Sequence, residues 1–69
     1  MNRYVVAFIN LFDFHLDQMI IEAKNPNEAI IQYLRDVRQW EMEDCEDLTV
    51  EELRALVSEC DCSITYVQV

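Results

Sequence analysis

Three sets of residues in this chain could do chemistry, and the densest is acidic. In "WEMEDCEDLTVEEL", residues 40 to 53, Glu41, Glu43, Asp44, Glu46, Asp47, Glu51 and Glu52 place seven carboxylates in fourteen positions with no Lys or Arg. Like charges this close repel one another, so the segment costs stability unless something outside the chain gains from it. A calcium loop sets oxygen ligands at alternate positions around a glycine that makes its sharp turn, and this chain has no glycine. Glu51 and Glu52 suit a helix start, where the dipole favours acids; Glu41 to Asp47 have no such local reason. Drawn out as a helix, the seven charges would span ~18 Å. That is roughly one per 2.6 Å, against roughly one per 1.7 Å along duplex DNA. The densities admit imitation of a phosphate backbone as well as plain docking on a basic protein. The residues expected to meet a partner are Trp40, Glu41, Glu43, Asp44, Glu46 and Asp47, with the tryptophan as an apolar anchor. Arg35, Arg38 and Arg54 would orient the complex or pair with local acids.

The other two sets are sulfur and imidazole. Cys60 and Cys62 with Cys45 and His15 could offer zinc four ligands, but the cysteines are spaced C-x-C and His15 stands far away in the sequence. Cys60 reads more simply as a small buried residue on a helix stripe. His15 is the sole imidazole, and Asp13 and Asp17 flank it without any nucleophile motif; a trio in a turn is expected to be solvated. The reading is therefore non-catalytic, with no cofactor and no metal.

Composition narrows the partner. The 14 acids against 5 basic residues give a formal charge of −9, the wrong sign for direct binding to nucleic acid or to an anionic membrane. A basic protein or nucleoprotein complex fits. The cysteines number three, and an odd count of thiols suits a reducing cytoplasm better than a disulfide scaffold. "MNRYVVAFINLF" superficially resembles a signal peptide but has no small-residue cleavage site, so it is expected to be folded structure. No apolar run approaches the ~18 residues of a membrane span.

The elements that must position these groups follow from periodicity. "RYVVAFINLF", residues 3 to 12, is apolar at both alternating sets: Tyr4, Val6, Phe8 and Phe12 on one side, Val5, Ala7, Ile9 and Leu11 on the other. Such a strand is central and covered on both faces. A turn near Asp13 returns the chain as a second strand, "QMIIEA", residues 18 to 23. Asn25, Pro26 and Glu28 mark a helix start, and Ala29, Ile30, Tyr33, Leu34, Val37 and Trp40 make its apolar stripe, with Arg35 and Arg38 on a partly basic outer face. Thr49 and Glu52 form a second capping box, Leu48 and Leu53 its hydrophobic staple, and Leu53, Leu56, Val57 and Cys60 a second stripe. "CSITYVQV" closes as a strand.

The 69 residues thus predict one α+β domain, β-β-α-α-β. Its three-stranded sheet has order 2-1-3, and both helices lie on one face. Nothing in one chain covers the other face. A homodimer is the expected cover, and a partner bound to an exposed sheet face is the alternative.

The run "YVVAFINLFD" followed by "IIEAKNPNEAI" resembles small acidic bacteriophage-encoded proteins of the host-takeover type over roughly the first half of the chain. The matching positions are Glu22, Ala23, Glu28 and Ala29, and they read as structural. The resemblance implies a protein that binds and inhibits host machinery: a nuclease, a CRISPR complex, RNA polymerase or a nucleoid protein. It assigns no contact residue.

Overall fold

β-Branched and aromatic residues dominate the opening stretch. In the computed structural model, which describes residues 1–69, they form β1 (Asn2–Asn10). β2 (His15–Ala23), α1 (Pro26–Asp36), α2 (Val50–Ser58) and β3 (Cys62–Gln68) follow. The sheet order is β2-β1-β3, antiparallel throughout, so β1 is central as the sequence predicts. Tyr4, Val6 and Phe8 face the helices and join Ile21, Ala23 and Ile64 with Ile30, Tyr33, Leu34, Leu53 and Val57 in one core. Each large apolar side chain buried there contributes about 1.5–3 kcal/mol.

The first hairpin departs from the expected bounds. β2 begins at His15 rather than Gln18, because its ladder with β1 continues from Asn2 opposite Ala23 to Asn10 opposite His15. Backbone pairing overrides the weak strand preference of His, Asp and Gln. β1 stops at Asn10, so Leu11 and Phe12 enter the turn, and Phe12 is 88 % exposed instead of joining Tyr4, Val6 and Phe8. Side chains stand in for glycine here. The Phe12 N–H donates to Asn10 Oδ1 at 2.9 Å and the His15 N–H to Asp13 Oδ1 at 3.0 Å. Phe14 then takes a left-handed φ of 58°, a conformation that glycine adopts without strain.

Both helix starts form where expected. Asn25 Oδ1 accepts from the Glu28 N–H at 2.9 Å, and Pro26 occupies the first turn. At α2 both halves of the capping box are made, Glu52 N–H to Thr49 Oγ1 and Thr49 N–H to Glu52 Oε1, each 3.2 Å. Both helices end early. α1 closes at Asp36, Gln39 turns left-handed at φ 60°, and the Trp40 N–H reaches back to the Leu34 carbonyl at 3.0 Å. Trp40 and Arg38 are therefore off the helix, and the basic outer face does not form. α2 closes at Ser58, leaving Cys60 exposed in a turn; the buried cysteine is Cys62, whose thiol donates to the Cys60 carbonyl at 3.3 Å. Burial, with a smaller contribution from Cys60, pushes the Cys62 thiol up.

The second face of the sheet has no helix over it. From edge to edge it shows three rows: Ile20, Val5 and Val67; Gln18, Ala7 and Thr65; Leu16, Ile9 and Ser63. Ile20 is 65 % and Val67 62 % exposed. Thus β1 is apolar on both sides but covered on only one.

Candidate functional site

The acidic residues lie on the connection between α1 and α2. No capping box lies between Trp40 and Thr49, and acids spaced three and four apart would repel along a helix without an intervening cation. The chain instead makes two successive turns. The Cys45 N–H bonds to the Met42 carbonyl at 3.2 Å, and the Leu48 N–H to the Cys45 carbonyl at 3.1 Å. Met42 is buried, while Cys45 and Leu48 pack against the core. Between these three pins the acids come in pairs, Glu43–Asp44 and Glu46–Asp47, and all four are exposed, as is Glu41. Asp is a favoured turn residue, so sequence and geometry agree locally. The even charge spacing drawn for a helix does not occur, because only Glu51 and Glu52 are helical.

None of Glu41, Glu43, Asp44, Glu46 or Asp47 has a salt-bridge partner; the two ion pairs in the molecule are Arg3–Glu22 and Arg35–Asp36. The arginines expected to orient the complex or pair with these acids are mostly engaged elsewhere. Arg35 Nε sits 2.9 Å from Asp36, and this bond above all raises its pKa, with Glu46 adding a small pull. Arg38 stacks over the Phe8 ring at 4.5 Å and donates to the Tyr33 hydroxyl at 3.4 Å. Arg54 is exposed on α2 and unpaired.

One wall of a polar cleft of about 510 Å³ is formed by Glu46, Asp47 and Leu48; one side of α1, from Asn27 and Glu28 to Arg35 in its last turn, forms the other. The Asn27 side-chain amide donates to the Leu48 carbonyl and ties the loop to α1. Two acids of the loop thus share a rim with Glu28, while Glu41 and the Glu43–Asp44 turn lie outside the cleft.

Trp40 is only half-buried, and its ring meets the Phe8 ring edge-on at 6.2 Å and 85°. It joins the acids at the loop's start but has a core partner already. Beside it runs a contact the sequence does not announce. The Tyr33 hydroxyl donates to Asp17 Oδ2 at 2.6 Å while accepting from Arg38. Asp17 is thus engaged rather than solvated, and burial, then the bond to Asp17, raises the Tyr33 pKa. The trio clamps β2 to the chain leaving α1; its members lie sixteen and five residues apart, so no local pattern could signal it.

His15 and the three cysteines stay dispersed, and no three His, Cys, Asp or Glu side chains gather to hold a metal ion. Two exposed aromatics, Phe12 and Phe14 at 88 % and 84 %, form an apolar tip on the first hairpin. Their signal was present in "LFDF", where a turn without glycine can turn its phenylalanines outward. No helix is long and apolar enough to cross a membrane. No family model, curated protein or solved structure matches the chain.

Proposed function

We propose that the chain is a non-catalytic binding module whose 41–47 loop docks on a basic surface of another protein. The observation that carries this reading is the loop itself: five exposed, unpaired carboxylates held outward by Met42, Cys45 and Leu48. Pinned acids lose less freedom on binding than acids on a loose tail, so more of the electrostatic attraction appears as affinity. The basic surface that fits best is a nucleic-acid site on a host nuclease, CRISPR complex, RNA polymerase or nucleoid protein. The protein then acts as a stoichiometric inhibitor of the phage type, covering that site with its acidic loop; the regular charge spacing that imitation of a DNA backbone would use is not what the loop presents.

The test is capture from bacterial lysate by the full chain, with mass spectrometry of the prey and duplex DNA as competitor. Expected prey are nucleic-acid-binding proteins that DNA displaces. They should be lost when Glu41, Glu43, Asp44, Glu46 and Asp47 become Gln or Asn. Prey retained by that folded variant would overturn the reading. A second reading, a small assembly subunit held by its sheet face, draws on the uncovered rows of β1, β2 and β3. Full biological activity of the neutralised variant would favour it.

A further inference from the structure

We infer that the uncovered sheet face is the contact for a second copy of this chain, independently of what the acidic loop binds. Charge supplies the first argument. Two copies at −9 each repel over most of their surfaces. The three rows of this face, however, contain no charged residue, and the ion pair of Arg3 with Glu22 at 3.3 Å neutralises the adjoining end. It is a broad face on which like copies meet without apposing carboxylates. A basic partner gains nothing from it, and an anionic lipid surface is repelled by the rest of the chain.

Shape supplies the second. Ala7, central on the face, floors a dent of about 120 Å³ lined also by Ile9, Leu16, Ser63 and Thr65. The exposed Ile20 stands in the row on the other side of Ala7. A two-fold axis running across the strands at Ala7 carries the Ile20 of each copy toward the dented end of the other. Knob and hollow on opposite sides of one axis are the self-complementarity that an isologous contact requires.

Area sets the strength. Three strands about 4.8 Å apart, paired over some 23 Å, give a patch on the order of 300 Å² in projection. A stable dimer buries about 800 Å² per copy. Phe12 and Phe14, in the turn beyond the Ile9–Leu16 end, are almost wholly exposed, but the strands by themselves supply well under that area. The contact is therefore small, and the dimer should dissociate upon dilution.

Sedimentation equilibrium of the full chain from about 1 to about 500 µM tests this, at low and at high NaCl. The expected mass rises from 8.2 kDa towards twice that value with concentration. It should rise further with salt, because salt screens repulsion between the copies and leaves apolar contact intact. Ile20→Lys and Val67→Lys alter exposed side chains, so the monomer keeps its circular dichroism, and each makes the chain less negative. Loss of the dimer in these variants therefore could not come from added net charge; at least a tenfold weaker association is expected. A wild type that stays at 8.2 kDa throughout overturns the proposal and leaves the face to a different partner. So does a dimer that survives both substitutions.

Discussion

The acidic loop and the open sheet face are both exposed, but they divide the surface chemistry between them. The loop 41–47 has five carboxylates and no cation, with its apolar residues turned inward as pins. The sheet face has aliphatic and small polar residues and no charge in its three rows. Of the 14 acids in 69 residues, five fall in this seven-residue loop and none in those three rows. The two proposed contacts should therefore respond to salt in opposite directions. Docking through the loop should weaken as ions screen it, whereas association of like copies through the sheet face should strengthen.

The largest expected effect comes from breaking the loop's support. Met42→Ala removes its buried pin and should cost about 2–5 kcal/mol in urea denaturation. Glu43→Gln with Asp44→Asn, in the same turn, should change stability by no more than about 0.5 kcal/mol. A large loss from the acid substitutions would mean that these carboxylates hold the fold, and the contrast between pins and charges would fail.

The next effect is at the clamp joining β2 to the chain that enters the loop. Tyr33→Phe removes the donor to Asp17 and the acceptor for Arg38, a loss of about 1 kcal/mol. Its pH signature is more specific. Burial and the Asp17 bond raise the Tyr33 pKa above 10.0, so the folded chain binds this proton more tightly than the unfolded one does. The stabilisation is whole below about pH 10 and is lost as pH rises through the folded value. Cys62, raised above 9.0, acts in the same direction from about pH 9 upward. Denaturation curves from pH 8 to about pH 11 should show stability falling, and Tyr33→Phe should flatten the upper part of that fall. An unchanged profile would remove the clamp from the account.

The smallest effect sharpens the other side of the comparison. Phe14→Gly relieves a left-handed aromatic and should alter monomer stability by no more than about 1 kcal/mol. It should also weaken self-association, because it strips apolar area from the hairpin tip. Unaltered association would confine the contact to the strands.

Much of the fold was legible because its signals are local. The T-x-x-E box at Thr49, the Asn25–Pro26 start and the doubly apolar β1 each act through neighbours in sequence, and strand order 2-1-3 follows from them. Element ends were less legible. The stripe through Val37 and Trp40 predicts a helix to residue 40, and both residues do pack on the core, but a left-handed Gln39 brings them there instead. A hydrophobic stripe reports which residues are buried, not the backbone that buries them. The same limit placed Cys60 inside when Cys62 is the buried thiol. For the candidate site, its residues were legible as charge, whereas their pairing between Met42, Cys45 and Leu48 depends on contacts with α1 and the core. The Asp17–Tyr33–Arg38 clamp joins residues from two elements and a loop.

The most direct test of the central claim is the salt dependence of capture by the 41–47 loop. Prey bound at about 50 mM NaCl should be released well before about 500 mM, where the screening length falls below roughly 5 Å. The variant neutralised at Glu41, Glu43, Asp44, Glu46 and Asp47 should hold none of it at either salt. Prey held equally at both concentrations, by both proteins, would contradict the account.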